Sequence, residues 1–239
     1  MKLLQVVILA GGLATRLRPI TERIPKALID INGEPFIYHQ LRLLYRQGVR
    51  DVVLCLGYLG EMVQEAVGNG QQFGMRVQYA FDGPVLLGTG GAIKRAAPYL
   101  EDAFFILYGD SYLTCDYSAA QKTFLAETKQ GLMTVFKNQG QWDTSNVEMV
   151  DGRIAVYDKL QRNKNMHHID YGLGIMAKTA LNWIPDNEPY DLALLYQTLL
   201  KNDQLLAHEV TSRFYEVGSH IGIDELKQYL RSVDKDFSS

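Results

Sequence analysis

The stretch LQVVILAGGLATRLRPITERIPK, residues 4–26, decides the fold, because an apolar run free of charge ends in it at a glycine pair. Residues 4–9 have the bulky and β-branched side chains of a strand that is buried on both faces of a parallel sheet. Gly11 and Gly12 follow, and without Cβ atoms they can bring backbone N–H groups against an anion. The loop then supplies cations, among them Arg16, Arg18 and Lys26. The pattern favours a phosphate site, although a glycine pair alone is more often an ordinary turn.

The two standard nucleotide-binding fingerprints, G-x-G-x-x-G and G-x-x-x-x-G-K-[ST], do not occur in the chain. The loop instead resembles the signature of the sugar nucleotidyltransferases, or nucleotide-sugar pyrophosphorylases, which is G-G-x-G-T-R-L-x-P-x-T followed by P-K. This chain has GGLATRLRPIT at 11–21 and PK at 25–26, with Ala14 where the family usually has glycine. The resemblance extends to about residue 230 and is densest at the start. It favours the single-domain members grouped with heptose 1-phosphate guanylyltransferases.

Length, composition and charge predict one large α/β domain. The 239 residues, 47% of them hydrophobic and 21% charged, suffice for a sizeable core. We expect a single nucleotidyltransferase domain at 1–239, with a nucleotide-binding part at about 1–115 and a sugar-phosphate-binding part at about 116–239. The net charge of −3 provides no basic surface for nucleic acid or an anionic membrane.

Cysteine use and hydropathy predict the compartment. Cys55 and Cys115 lack metal-binding spacing and are too few for a disulfide framework. We see no signal peptide, and no apolar run reaches the ~18 residues of a membrane helix. We therefore expect a cytoplasmic protein that binds neither nucleic acid nor membrane. Compact relatives suggest a monomer or a homodimer.

Apolar runs alternate with amphipathic segments along the chain, which predicts a mainly parallel sheet with helices on both faces. The predicted strands are 4–9, 27–31, 51–57, 75–81, 103–108, 132–137, 169–175 and 205–210. The predicted helices lie within 35–48, 60–67, 86–98, 116–130, 189–201 and 223–233. Asp151-Gly152 predicts an antiparallel hairpin of strands 147–150 and 154–158. The resemblance implies a Rossmann-like, GT-A-like nucleotidyltransferase fold.

Ligands of such sheets bind outside the carboxyl ends of the strands, which is where the glycine loop lies. A second glycine-rich turn, LGTGGA at 87–92, leads into a helix, with Thr89 as a candidate N-cap. In the family, a similar L-G-T-x-G-A segment holds the nucleoside. The nucleotide-binding residues that the resemblance implies are Leu9, Ala10, Gly11, Gly12, Thr15, Gly57, Gly88 and Thr89.

Asp110 follows the apolar strand 103–108, a place where a carboxylate serves either as a helix cap or at a functional site. The family has a G-D motif here, whose aspartate binds Mg²⁺. It commonly has a second aspartate ligand where this chain has Glu216. The resemblance therefore implies a Mg²⁺ cofactor held by Asp110 and Glu216, and catalytic roles for Arg16, Lys26 and Asp110.

The pair Asp158-Lys159 follows the hairpin, and such a pair is usually an ordinary exposed acid and base. The family has E-K here, with the lysine reaching the sugar phosphate. The next strand contains glycines that permit close approach of a ligand, and a family glycine in a similar segment lies against the sugar ring. The sugar-phosphate-binding residues that the resemblance implies are Gly109, Asp158, Lys159, Asp170, Tyr171 and Gly172.

Residues 161–168 (QRNKNMHH) are polar and aperiodic, which predicts a mobile loop over the site. His167 and His168 point to opposite sides of an extended backbone and lack a third ligand nearby, so a structural or solvent role is favoured over metal binding. The segment 159–168 has almost no apolar anchor. We expect it to become ordered only when a sugar phosphate binds.

The resemblance implies transfer of a nucleotidyl group from a nucleoside triphosphate to a sugar 1-phosphate, with release of pyrophosphate. The phosphate oxygen of the sugar is itself an anionic nucleophile, so positioning and charge neutralisation should carry most of the rate. Arg16 would stabilise the β,γ-phosphates, Lys26 the α-phosphate and Lys159 the sugar phosphate.

The favoured interpretation is a GTP-dependent heptose 1-phosphate guanylyltransferase of cell-surface polysaccharide synthesis. One alternative is a uridylyl- or thymidylyltransferase that acts on another sugar 1-phosphate. A glycosyltransferase would need a D-x-D motif, whereas the chain has GDSY at 109–112. A regulatory nucleotide-sugar-binding protein that has lost activity through Ala14 and Glu216 also stays open.

Overall fold

The computed structural model describes residues 2–138, 140, 142, 144–186 and 188–236. Its strands are β1 (Gln5–Leu9), β2 (Asp30–Ile31), β3 (Glu34–Pro35), β4 (Asp51–Leu56), β5 (Arg76–Phe81), β6 (Ala103–Tyr108), β7 (Ser111–Leu113), β8 (Gly131–Lys137), β9 (Val147–Val150), β10 (Arg153–Tyr157), β11 (His168–Ala177), β12 (Leu205–Val210) and β13 (Phe214–Glu216). Its α-helices are α1 (Phe36–Gln47), α2 (Gly60–Val67), α3 (Gly88–Ala96), α4 (Tyr117–Leu125), α5 (Leu192–Lys201) and α6 (His220–Asp236). Among the described residues, no helix combines the length and apolarity that a bilayer crossing needs.

The central sheet is mixed and mainly parallel in its first half, which confirms the predicted fold class. Strands β6, β1, β4 and β5 are parallel neighbours in that order. Strand β11 pairs antiparallel with β6 and β8, and β12 pairs parallel with β8. The β9–β10 hairpin joins the sheet beside the start of β11. In register, Leu9 lies between Cys55 and Tyr108, so the carboxyl ends of β1, β4 and β6 meet at one edge.

The sheet is covered on both faces, and successive residues of β1 belong to different cores because side chains alternate along a strand. Val6 and Ile8 pack on the face covered by α1, α2 and α4, whereas Val7 packs on the face covered by α3 and α5. All three are fully buried. Burial of one such side chain stabilises the fold by about 1.5–3 kcal/mol, so this unbroken apolar run anchors both layers.

A third cluster fixes the cationic loop that follows β1. Leu17 is buried in a 3-10 turn (Thr15–Leu17), where it packs with Ile31 of β2. Val217 and Leu226 of the C-terminal part belong to the same cluster. The loop that bears Arg16 and the end of β13 are therefore parts of one packed unit.

Local turn and cap chemistry explains where elements begin and end. The hairpin prediction is confirmed, with Asp151 and Gly152 at φ of 49° and 74°, the positive values that a tight two-residue turn needs. Helix α4 begins after Asp116, whose carboxylate accepts from Ser118 N–H and Ala119 N–H. Helix α5 likewise begins after Asp191 rather than at Pro189.

Two further predictions differ from the structure. Residues 27–31 are not one strand, because a 3-10 turn (Lys26–Leu28) precedes β2, which then ends at a turn through Asn32. The loop predicted at 161–168 is one residue too long, since His168 already belongs to β11.

Candidate active site

A cleft of about 250 Å³ opens at the carboxyl ends of β1, β4 and β6. Its lining combines the two glycine-rich turns with the tips of these strands. The lining residues are Leu9, Ala10, Gly11, Gly12, Ala14, Lys26, Ala27, Cys55, Asp82, Leu86, Gly88, Thr89, Ala92, Tyr108, Gly109 and Asp110. The structure thus brings together most of the predicted nucleotide-binding residues with Lys26 and Asp110.

Gly57 and Thr15 do not line the cleft. A Cβ on Gly57 would lie 2.6 Å from the carbonyl oxygen of Gly11, and a Cβ on Gly11 would lie 3.0 Å from the Gly57 nitrogen. Two backbones at this separation leave no room for a side chain, so Gly57 supports the glycine loop from behind. Thr15 is exposed at the start of the 3-10 turn.

Ala14 adopts the conformation that glycine favours. Its φ of 48° and ψ of 45° lie in the left-handed region, which costs a residue with a Cβ roughly 1–2 kcal/mol. The carbonyl oxygen of Ala14 accepts a hydrogen bond of 2.8 Å from Thr21 Oγ1, which holds the loop in this shape. Replacement of the usual glycine therefore leaves the loop closed.

Lys26 and Asp110 form an ion pair across the cleft, with 2.8 Å between Nζ and Oδ2. The side chains retain 19% and 30% of their exposure, so both charges stay open to a ligand. Lys26 begins the 3-10 turn after Pro25, and Asp110 follows β6 after Gly109. The pair joins the loop after β1 to the neighbouring strand.

Three charged groups converge on Gly218. A Cβ at this glycine would lie 2.6 Å from Glu216 Oε2, 3.2 Å from Arg16 Nη2 and 3.5 Å from Lys26 Nζ. The backbone N–H of Val217 also donates to the carbonyl oxygen of Asp110 at 2.9 Å. The fold therefore brings Arg16 and Lys26 of the glycine loop close to Asp110 and Glu216, which are distant in sequence.

The carboxylate of Glu216 holds the turn that leads into α6. It accepts from the backbone N–H of Gly218 and, at 2.5 Å, from the hydroxyl of Ser219. The hydroxyl of Ser219 in turn accepts from Gly222 N–H at 3.0 Å in the first turn of that helix. Glu216 ends β13, opposite Ser111 of β7, so its backbone lies beside that of Asp110. This short β7–β13 ladder was not predicted, because three-residue strands leave little pattern in a sequence.

Asp110 and Glu216 are the donor set nearest to the cations. Both offer carboxylate oxygens, the hard ligands that Mg²⁺ prefers. Asp110 Oδ1 accepts from the hydroxyl of Ser111 at 3.3 Å. Among the described residues, no group of three or more His, Cys, Asp or Glu side chains is arranged as a metal site. Two protein carboxylates with substrate oxygens fit the way Mg²⁺ is usually bound, together with phosphates.

Thr89 caps a different helix from the one predicted. The position before α3 is occupied by Leu87, and the Thr89 hydroxyl accepts from Leu192 N–H at 2.8 Å and donates to Asp191 at 3.2 Å. Gly88, at φ of 70°, would place a Cβ 2.9 Å from the carbonyl oxygen of Tyr190. The second glycine turn therefore ties α3 to the start of α5 while it lines the cleft.

Lys159, Asp170 and Gly172 lie together around Tyr108. Lys159 Nζ is 5.8 Å from the centre of the Tyr108 ring, and a Cβ on Gly172 would lie 3.5 Å from the edge of that ring. Asp170 accepts from the hydroxyl of Tyr157 at 3.2 Å and from Gly172 N–H at 3.0 Å. Burial raises the pKa of Asp170, and the charge of Lys159 opposes that rise.

Two predicted sugar-phosphate ligands lie elsewhere. The Tyr171 side chain is 3% exposed and packs against Phe136 and Phe214 on the other face of the sheet, because it alternates with Asp170 along β11. Asp158 accepts from the backbone N–H groups of the two following residues in an exposed turn, and these bonds lower its pKa. The structure brings neither side chain into the cleft.

Asp82 is a cleft residue that the sequence analysis missed. Its side chain is 8% exposed and accepts from Leu87 N–H at 3.1 Å. Burial raises the pKa of Asp82. The signal was available, because Asp82 directly follows β5 as Asp110 follows β6.

The sequence pattern that describes the nucleotidyl transferase family matches residues 5–145. The chain belongs to this family. The nucleotidyl transferase is 28% identical over 218 residues to a D-glycero-alpha-D-manno-heptose 1-phosphate guanylyltransferase of Campylobacter jejuni, and the alignment covers 90% of this chain and 95% of the relative. It is also 28% identical to a UTP--glucose-1-phosphate uridylyltransferase of Synechocystis, over 79% of this chain but only 53% of that longer protein.

Solved structures show the same fold. HddC from Yersinia pseudotuberculosis complexed with GMP-PN superposes with a TM-score of 0.77 at 25% identity, covering 95% of this nucleotidyl transferase and 99% of that chain. A putative glucose-1-phosphate thymidylyltransferase from Bacillus anthracis superposes with a TM-score of 0.82, at 95% coverage of both chains. At 18% identity the latter shows the fold alone. The resemblance predicted from the glycine loop is confirmed.

Proposed function

We propose that this nucleotidyl transferase condenses GTP with a manno-configured sugar 1-phosphate, a heptose or a hexose, to give a GDP-sugar and pyrophosphate. The observation that carries the proposal is the Lys26–Asp110 pair in the lining of a glycine-rich cleft, with Arg16 close to Lys26 beside Gly218. Two cations and a carboxylate at one strand edge suit a reaction between two phosphates, in which charge must be neutralised rather than a covalent intermediate formed.

The chain supplies no covalent nucleophile in this mechanism, because the phosphate oxygen of the sugar is already anionic. It attacks the α-phosphorus of GTP, and pyrophosphate departs with the electron pair of the broken P–O bond. Lys26 binds the α-phosphate, Arg16 holds the departing β,γ-phosphates and Lys159 binds the sugar phosphate. Asp110 and Glu216 would hold Mg²⁺, which when bound supplies further positive charge to the phosphate oxygens.

Asp82 supports guanine as the base. Guanine presents two adjacent N–H donors on its pairing edge, whereas uracil and thymine present one between two acceptors. A carboxylate accepts and cannot donate, so it favours the base with two donors. Asp82 is the buried carboxylate of the cleft, beside the second glycine turn, where only one of its oxygens accepts a described hydrogen bond. The guanylyltransferase relative and the HddC complex with GMP-PN agree with this choice.

The test is pyrophosphate release from each of the four nucleoside triphosphates with heptose, mannose and glucose 1-phosphates. We expect the highest kcat/KM with GTP and a manno-configured sugar. Asp82→Asn should narrow the preference for GTP over UTP by about tenfold, the scale of one hydrogen bond to a charged group. Asp203→Asn, an exposed surface aspartate paired with Lys129, is the control. Absence of pyrophosphate release with every pair would refute the proposal.

A further inference from the structure

Tyr108 has a polar group without a partner. The residue ends β6 and lines the cleft. Its hydroxyl oxygen is closed to solvent and has no hydrogen-bond partner in the described part of the chain. Folded proteins pair nearly all buried polar groups, and a tyrosine hydroxyl left alone costs stability. Such a group at a binding cleft calls for a ligand.

The surroundings of Tyr108 are those of the candidate sugar-phosphate residues. Lys159 lies over the ring at 5.8 Å, and Gly172 brings its backbone to the ring edge because no Cβ intervenes. Burial raises the pKa of Tyr108 well above its usual range, and the nearby charge of Asp170 raises it further. The phenol therefore stays protonated and can donate. The backbone of Tyr108 is held by Gln40 Nε2, which donates to its carbonyl oxygen at 3.1 Å.

We propose that Tyr108 is a specificity-determining residue whose hydroxyl forms a hydrogen bond with one ring hydroxyl of the sugar 1-phosphate. The inference rests on the proposed function and names the sugar-reading contact of that site. Asp170 lies close by with a carboxylate that only accepts, whereas the Tyr108 hydroxyl donates. One sugar hydroxyl can accept from the phenol and donate to the carboxylate, so it satisfies both groups at once.

Other groups fit this place less well. A phosphate oxygen only accepts and would meet the oxygens of Asp170, which also accept. A deoxy carbon would leave the Tyr108 hydroxyl unpaired in a buried site. A site built to hydrogen-bond a hydroxyl rejects the analogue that lacks it strongly. Lys159 forms part of the cover over the ring, so its movement toward the sugar phosphate would open the Tyr108 hydroxyl to the sugar ring.

The test is a cycle in which one hydroxyl is removed from the enzyme and one from the substrate. Wild type and Tyr108→Phe are compared on mannose 1-phosphate and its 2-, 3-, 4- and 6-deoxy analogues with saturating GTP. We expect wild type to discriminate against one analogue by about 100-fold or more, and Tyr108→Phe to reduce that discrimination at least tenfold. The KM for mannose 1-phosphate should rise in the variant while the KM for GTP stays constant.

Tyr117→Phe is the matched control. Its hydroxyl is also buried without a described partner, but the ring packs against Phe105 in the core beneath α4, away from the cleft. This variant should leave the analogue profile unchanged. The inference is overturned if Tyr108→Phe lowers kcat/KM equally for all five substrates. It is also overturned if the wild-type enzyme alone uses mannose 1-phosphate and every deoxy analogue equally well. If wild type shows no nucleotidyl transfer to any sugar 1-phosphate, the proposed function itself fails.

Discussion

At the scale of single residues, the cations of the glycine loop differ in what they reach. Arg16 and Lys26 both lie beside Gly218, and Lys26 also pairs with Asp110. Arg18, by contrast, is 54% exposed and lies 3.8 Å from Glu22 in the same loop. A surface ion pair of this kind contributes little to stability. Arg18 is therefore a control for the two cations beside Gly218.

We expect Arg16→Ala and Lys26→Ala each to lower kcat by roughly 10²- to 10³-fold, the loss that follows removal of one preorganised contact to a transition state. Arg18→Ala should keep wild-type turnover. Steady-state kinetics of the three variants measures kcat, and circular dichroism checks that each variant is folded. Wild-type rates in a folded Arg16 or Lys26 variant would remove that residue from the mechanism.

The two carboxylates should respond differently to conservative change. Asp110→Asn removes one of the two carboxylate charges proposed to hold Mg²⁺, so we expect no activity at any magnesium concentration. Glu216→Asp keeps a carboxylate at the second proposed position, so it should keep or improve activity. A magnesium titration of both variants measures this. Substantial activity of Asp110→Asn would mean that the carboxylate serves only the Lys26 ion pair.

Burial of Asp82 predicts a pH-dependent stability. Burial raises the folded-state pKa of Asp82, so the folded protein binds this proton more tightly than the unfolded chain does. Wild type therefore loses stability as pH rises above about 4, the pKa of the unfolded chain. Asp82→Asn does not titrate and keeps an oxygen for Leu87 N–H. Its melting temperature should match wild type near pH 4 and exceed it at pH 7. If wild type and Asp82→Asn have equal melting temperatures at both pH values, burial does not disfavour the charged form of Asp82.

At the scale of elements, the sequence pattern predicted the structure correctly where an element depends only on its own residues. The unbroken run of β1 and the turn residues Asp151-Gly152 each gave the correct structure from local chemistry. The predictions failed where the role of a residue depends on a distant segment of the chain. Thr89, for example, caps α5 rather than α3. Tyr171 was assigned to the sugar although strand alternation sets it opposite Asp170. The β7–β13 ladder depends on a contact between distant segments that no local pattern contains. Asp82 was overlooked although it directly follows β5.

The segment 158–167 is better anchored than its composition predicts. Met166 is 6% exposed, and the side chain of Asn163 donates to Glu148 at 2.9 Å. Leu160, by contrast, is 91% exposed. The expectation of almost no apolar anchor is therefore corrected for the second half of the segment, and the first half carries Lys159.

We expect amide hydrogen exchange across residues 159–163 to slow mainly when the nucleotide-sugar product binds, because Lys159 then gains a phosphate partner that offsets the ordering entropy. GTP alone should have little effect. The strand Ala103–Tyr108 serves as the slow reference. Amides at 159–163 that are already as slow as that strand in the free protein would rule out a ligand-dependent flap.

At the scale of the whole molecule, the C-terminal helix stabilises the catalytic loop. Leu226 of α6 is fully buried in the cluster that contains Leu17. Leu17 is the residue that directly follows Arg16. Leu226→Ala should lower the free energy of unfolding by about 2–5 kcal/mol and reduce activity as the loop loosens. Leu194→Ala, which is 48% exposed on α5, is the control in urea unfolding. Equal losses in both variants would contradict the packing account.

The central claim is that a sugar phosphate attacks the α-phosphorus of GTP in this cleft. Phosphorus NMR of GTP, mannose 1-phosphate and Mg²⁺ with the enzyme measures it directly, with Lys26→Ala as the inactive comparison. The account predicts pyrophosphate and a GDP-sugar in equal amounts, formed only when both substrates are present. Inorganic phosphate in place of pyrophosphate, or no reaction with any nucleoside triphosphate and sugar 1-phosphate pair, would contradict it.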